Sequence, residues 1–203
     1  MKRVLAIALA LILCFSSILS LTACSALPEI NSLKDRFIYL IEESKQLNVI
    51  FFGVGLPVYN REGELALKRG IYYDDKLPAY NTLMYNSPYF TTDSIKQKAE
   101  SVFSQAYLKL IYEGSFSGLV SSGGTYLRFY EYESKLYQSI YAKDFDLSER
   151  IYDYSTMQIV KPSNNEYINV TVETYTLEDT RRKEVLLSFS FERGDWYLDC
   201  PTY

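Results

Sequence analysis

The sequence predicts an α+β domain, with N-terminal helices packed on a curved antiparallel sheet. Three observations carry that expectation. Apolar residues recur at helical spacing in the first half of the chain: Leu33, Phe37, Leu40, Ile41 and Ser44 fall on one face, and Ile95, Ala99, Val102, Phe103, Ala106 and Leu110 on another. They recur at a spacing of two in the second half, where Ile168, Val170 and Val172 alternate with Asn169, Thr171 and Glu173. Helices come first and strands follow, which is the order of an α+β layout.

Taken in order, the first folded element is a helix from about Ser32 to Gln46, with Ser32 as its cap. Gly53, Gly55 and Pro57 make "NVIFFGVGLPVYN" a loop or a short extended piece. Arg61 to Arg69 suits a short helical turn, and "IYYDD" and "AYNTLMY" are extended segments around Pro78. A second long helix starts at Thr91 or Thr92, carries Asp93 at its positive end and stops near Glu113, before Gly114. Ser115 to Thr125 is a loop of small residues. A strand then leaves from Tyr126, turns at Ser134-Lys135 and returns through "LYQSIY".

Three more strands complete the meander. One runs from Ile151 to Lys161 and ends at the turn "PSNN". The next holds Ile168, Val170 and Val172, and the third holds Val185, Leu187, Phe189 and Phe191. Arg193-Gly194-Asp195 is a tight turn into a last strand, with Trp196, Leu198 and Cys200 on one face.

The N-terminus has a different character. Lys2 and Arg3 precede an apolar run from Val4 to Phe15, and small residues lead up to Cys24. That is the pattern of an export leader. The run is short of the roughly 20 apolar residues that a spanning helix needs. "LTAC", with Leu21, Ala23 and Cys24, resembles the bacterial lipoprotein lipobox. The resemblance implies a diacylglycerol on the Cys24 thiol and cleavage before it. It divides the chain into a signal peptide (1–23), a lipidated cysteine with a short stalk (24–31) and one α+β domain (32–203), placed extracytoplasmically at the membrane surface. Each acyl CH₂ adds about 0.8 kcal/mol of membrane affinity.

Composition narrows the chemistry. The formal charge is −4, and residues 1–23 carry only Lys2 and Arg3, so the mature chain stands at −6. Nucleic acid is a poor partner for an acidic domain. Of three cysteines, Cys14 lies in the leader and Cys24 is the lipidation site, which leaves Cys200 without an intramolecular partner. Histidine is absent, so an imidazole base, a histidine-bearing zinc site and haem ligation through histidine all drop out. Carboxylate, Lys or Tyr chemistry remains. No metal or cofactor is expected.

Four groupings are weighed as sites. "SSGG" (Ser121, Ser122, Gly123, Gly124) lacks the lysine and helix start of a phosphate loop. It reads as a flexible loop, or as a flexible loop that binds a partner. The acid pairs Glu42-Glu43, Asp74-Asp75, Asp144 with Asp146, and Glu178-Asp179 are solvated surface unless two acids converge across a cleft. Cys200 alternates with buried residues and reads as a small hydrophobe. Glu131, Tyr132 and Glu133, with Tyr126 and Tyr130 beside them, form an acidic-aromatic strand suited to a basic partner. No grouping amounts to an active site, so the chain reads as non-enzymatic.

The element order, with "FTTDSIKQKAESVFSQAY", "YLRFYEYESKLYQ", "TMQIVKPSNNEYINVTVE" and "KEVLLSFSFERGDWYLDCPTY", resembles the IseA-type inhibitors of cell-wall DL-endopeptidases. More loosely it is similar to NTF2-like and cystatin-like α+β domains. The first resemblance implies a protein that binds a partner, a wall hydrolase, at its catalytic cleft; the lipobox departs from that family's secreted pattern. The second implies a module that takes a small ligand in an aromatic pocket.

Overall fold

The computed structural model describes residues 27–59, 80–121, 124–140, 147 and 149–203. The leader, Cys24, Arg61 to Arg69, Asp74-Asp75, Ser122, Gly123, Asp144 and Asp146 lie outside them. The α+β class holds: three helices and antiparallel sheets make up the described chain.

Helix α1 (Ile30–Phe52) is longer at both ends than its sequence suggests. It starts two residues before Ser32, and Ser32 donates its hydroxyl to the Glu29 carbonyl instead of capping the helix. It runs through Asn48–Phe52 because Asn48, Ile50 and Phe51 continue its buried face, and it stops at Gly53. Four strands make the sheet beneath it, in the order β6 (Ile151–Val160), β7 (Tyr167–Tyr175), β8 (Lys183–Glu192), β9 (Asp195–Leu198). Every neighbouring pair is antiparallel. Phe37 stacks flat on Phe189, with ring centroids 3.8 Å apart, and meets Trp196 edge-on. Leu40, Ile41, Ile168, Val170 and Leu187 fill the space around them.

Strand β6 contains a bulge between Asp153 and Gln158. Residues 154–157 oppose Val172 alone, three more than regular pairing needs, and that odd number flips the parity of the strand. Tyr152 and Tyr154 point to α1 before it, while Met157 and Ile159 join the core after it.

A second sheet has the order β1 (Tyr80–Thr82), β5 (Lys135–Ser139), β4 (Phe129–Tyr132). Helices α2 (Thr92–Glu100) and α3 (Gln105–Phe116) pack on β4, while α1 packs on β6 and β9. The helices thus serve two sheets, not one curved sheet. The single helix expected from Thr91 to Glu113 is also two. Val102 and Phe103 are buried in the break, where the chain forms a parallel bridge to Leu198. Leu198 donates its N–H to the Val102 carbonyl at 2.9 Å, and Ser104 N–H donates to the Leu198 carbonyl at 2.9 Å. The break covers the edge of β9. Ser104 then caps α3 by accepting the Tyr107 N–H. Helix α3 passes through Gly114 to Phe116, so Ser115 and Phe116 are helical and not loop. The remainder of the expected loop is a short hairpin, β2 (Leu119–Ser121) with β3 (Gly124–Tyr126). Tyr126 therefore ends β3, and β4 begins only at Phe129.

The two sheets are joined at the C-terminal end of α1. Arg128 is 3 % exposed, and its Nε donates to the Ile50 carbonyl at 2.9 Å. One of its terminal nitrogens donates to the Gly53 carbonyl. A cation here meets the negative end of the helix macrodipole. Next to it, the Gln138 side chain accepts the Leu56 N–H at 2.7 Å and donates to the Val54 carbonyl at 2.9 Å. Gly55 lies between these two bonds with φ +87°, and any side chain there would overlap the Gln138 amide.

Arg128→Met keeps the bulk but strips hydrogen bonds from two helix-end carbonyls, so we expect a loss of about 3–5 kcal/mol in urea denaturation. Gly55→Ala should cost at least about 1–2 kcal/mol from its backbone alone. An unchanged midpoint for both variants would contradict the joint.

Candidate functional site

The acidic-aromatic strand is assembled in part. Tyr130 and Tyr132 lie on one face of β4, near-parallel, with ring centroids 6.4 Å apart. Tyr80 from β1 extends the row at 5.5 Å, a member that sequence spacing could not supply. Glu131 points to the other face, where its carboxylate accepts the Thr92 N–H at 2.9 Å. It is thereby committed to the N-terminus of α2, where a negative charge is favoured. Glu133, with Ser134, forms the turn into β5, both at positive φ. Ser121 and Gly124 are paired across the β2–β3 hairpin, and Tyr126 faces Leu119 in the same pairing. The described members of the expected loop and strand therefore fall on two hairpins.

The acid pairs separate. Glu42 binds Lys45 and the Tyr154 hydroxyl, while Glu43 binds Lys98. Asp179 holds Arg181 and Lys183. Among the described residues, no set of three acids or cysteines is placed to share a metal ion.

A concave site does exist, and it is elsewhere. A cavity of about 370 Å³ lies at the C-terminal half of α1. Lys45, Gln46, Asn48 and Val49 of the helix form one wall, and Leu147, Glu149, Arg150, Thr202 and Tyr203 the other. The residues build it by a polar chain across the molecule. Asn48 Nδ2 donates to Thr202 Oγ1 at 2.6 Å, and Thr202 Oγ1 is 2.6 Å from Ser44 Oγ, which itself donates to the Ile41 carbonyl. Tyr152, turned inward by the bulge, donates its hydroxyl to the Thr202 carbonyl at 2.7 Å. Tyr203 lies against Phe52 with centroids 5.1 Å apart. The C-terminal segment is thus fastened to α1 at several points.

One atom of this wall is left over. Asn48 is 3 % exposed and its Oδ1 has no hydrogen-bond partner. A buried amide oxygen left so carries a desolvation cost of about 1–3 kcal/mol. Its signal in the sequence was present but faint: Ser44 and Asn48 sit four residues apart on the apolar face of α1.

The electrostatics of the site follow from burial. Burial opposes ionisation of Glu42, but hydrogen bonds from Lys45 and Tyr154 outweigh it and hold the carboxyl below its ordinary pKa. Burial raises the Tyr152 hydroxyl to about 12. Cys200 is raised to about 11, again chiefly by burial, and Ser188 N–H donates to its sulfur. The thiol is a packed, protonated group, as its place beside Leu198 and Trp196 suggests.

Compared with models of known protein families and with curated proteins, the chain matches none.

These shifts set the pH dependence. Glu42 and Asp153 hold carboxyls below their ordinary range, so the stability they confer is present above about pH 4 and is lost as pH falls. Cys200 and Tyr152 hold their protons more tightly when folded. Their contribution is complete below the unfolded thiol value near 8.5 and is lost as pH rises through about 11 and 12. With no histidine, no side chain of ordinary pKa titrates between. Urea midpoints should be flat from about pH 5 to 8 and fall on either side. A slope across neutral pH would contradict this, as would rapid thiol labelling of Cys200 in the folded chain at pH 8.

Proposed function

We propose that this chain is a lipid-anchored module of the bacterial cell envelope that holds a small ligand in the cavity between α1 and the C-terminal segment. One observation carries the ligand reading: a cavity of ligand size whose lining mixes apolar and polar groups. Small-molecule sites are concave, mostly apolar and fitted with a few placed polar groups. Val49, Leu147 and Tyr203 supply the apolar lining, while Asn48, Lys45, Glu149 and Arg150 supply the polar groups. The reading fits an NTF2-like or cystatin-like arrangement in a restricted form. Phe37, Phe189, Leu40 and Ile41 fill the centre of the sheet, and the cavity lies at the end of the helix. The lipobox at Leu21 to Cys24 supports the tether and the extracytoplasmic location.

A fragment set titrated into isotope-labelled chain should shift the resonances of Val49, Leu147 and Tyr203 together. Shifts confined to the β4–β5 hairpin would defeat the pocket reading.

The Tyr80–Tyr130–Tyr132 row favours a second reading, a protein partner such as a wall hydrolase. Aromatic side chains of this kind anchor interfaces. On that reading the purified chain inhibits wall digestion by such an enzyme, and Tyr132→Ala weakens inhibition at least about tenfold, the usual effect of losing an anchor worth over 1 kcal/mol. Equal inhibition by the variant would remove the row from the interface.

A further inference from the structure

We propose that the free half of the β8 edge is a docking edge for a partner protein. An extended segment of that partner adds there as an antiparallel strand, in line with β9. It carries a Lys or Arg opposite Glu184 and an apolar residue opposite Leu186. The edge is separate from the cavity, and the inference does not rest on the ligand reading.

A sheet edge presents unpaired N–H and C=O groups, and folds usually blunt or cover it. The four-stranded sheet does so twice. The bulge between Asp153 and Gln158 interrupts the edge of β6, and the helix break at Val102 to Ser104 covers the edge of β9. However, β9 pairs with β8 only from Phe189 to Glu192. Asp199 N–H then donates to the Ser188 carbonyl, and Ser188 N–H donates to the Cys200 sulfur. There the chain leaves the edge, and Thr202 is bonded to α1 and to Tyr152. Residues 183–187 of β8 thus have β7 on one side and, among the described residues, no strand on the other.

The direction of each backbone group follows from alternation along a strand. Phe191 N–H donates to the Glu166 carbonyl on the β7 side, so Phe189, Leu187, Val185 and Lys183 also face β7. Ser188 faces the β9 side, and so do Leu186 and Glu184. The N–H and C=O groups of those two residues have no partner among the described residues. Lys183, a charge that could guard the edge, is instead bound to Asp179 at 3.1 Å. The Leu186 side chain is 58 % exposed beside the open groups.

The charge of the occupant follows from a row across the sheet. The register sets Asp153 against Glu173, and Glu173 against Glu184. Like charges placed directly opposite destabilise a sheet. Arg182 answers Asp153 and Glu173, while Glu184 has no ion pair among the described residues. A strand added beyond Glu184 extends the row, and a cation there relieves it. Leu186, two residues along the same face, calls for an apolar neighbour. A second copy of this chain fits poorly. In an antiparallel pairing of two copies that keeps Leu186 in the ladder, Glu184 meets Glu184, Leu186 or a residue that is already paired.

The test uses the full chain in detergent and the probe acetyl-Thr-Val-Ile-Lys-Thr-amide, which sets Val opposite Leu186 and Lys opposite Glu184. Binding is read from the backbone amide resonances of Leu186 and Glu184 and from their hydrogen exchange. Both amides should shift and exchange more slowly. N-methylation of the probe at Val and Lys should weaken binding at least about tenfold, because its hydrogen bonds to Leu186 and Glu184 are lost. A probe with Glu in place of Lys should bind about fivefold more weakly, the upper size of a cross-strand charge pair. Glu184→Lys should reverse that preference, a result that misfolding cannot produce. A probe that moves neither amide overturns the docking edge. Equal binding of the Lys and Glu probes, or no reversal in Glu184→Lys, overturns the proposal that a basic segment docks here. A chain that dimerises in sedimentation and protects the same two amides overturns it in favour of a second copy.

Discussion

The structure depends on how one helix end is satisfied. An α-helix leaves its last carbonyls without partners, and burying them unpaired is costly. In this chain the end of α1 runs into the interior, where the buried guanidinium of Arg128 answers the carbonyls of Ile50 and Gly53. Gln138 answers Val54 and Leu56 just beyond. Arg128 leads into β4 and Gln138 lies on β5, so the end of α1 is capped by the second sheet while its middle rests on the first. A buried charge is a liability unless its hydrogen bonds are made, and here the acceptors form a fixed set that no other docking of the helix would present. The relative placement of the two sheets is therefore tied to the length of α1.

The same logic of answered ends recurs at α2 and α3. Each is a short helix whose N-terminus receives a carboxylate from a strand: Glu131 of β4 at Thr92, and Glu192 of β8 at Gln105. The helix break between them is occupied by the bridge from Phe103 to Leu198. A continuous helix would have left the outer edge of β9 unpaired. The hydrogen bonds of that edge favour the break over the continuous helix.

This explains what the sequence reveals and what it conceals. The strands β7 and β8 are legible because their alternation is local and one face is buried. So are the start of α2 at Thr91 and the turn at Arg193-Gly194, with φ +53° and +82°. The break at Ser101 to Ser104 is hidden, since Val102 and Phe103 fit a helical stripe and only Leu198, far along the chain, decides otherwise. The extension of α1 to Phe52 is hidden for a similar reason: the partner of Asn48 is Thr202. The acidic-aromatic segment is legible as a strand, but the bond from Thr92 N–H to Glu131 is not, because Thr92 lies on a helix. The cavity is the least legible feature. Its walls come from residues 45–49, 147–150 and 202–203, and no spacing within one segment signals it.

The two ends of α1 have different duties. The tether implied by Cys24 joins the chain six residues before Ile30, where α1 begins. The cavity wall is centred near Asn48, eighteen residues further, or about 27 Å along a helix rising 1.5 Å per residue. On the proposed lipidation of Cys24, the anchor would lie at the end of the helix opposite the cavity. The buried face that carries Phe37, Leu40, Ile41 and Ser44 connects the two ends through packed side chains. Leu47, Ile50 and Phe51 carry it on to the end of the helix, and Ser44 and Asn48 interrupt it where the C-terminal segment closes over it. Here the polar residues cost core volume and leave one acceptor unanswered, and they do so at the position where the wall becomes a cavity.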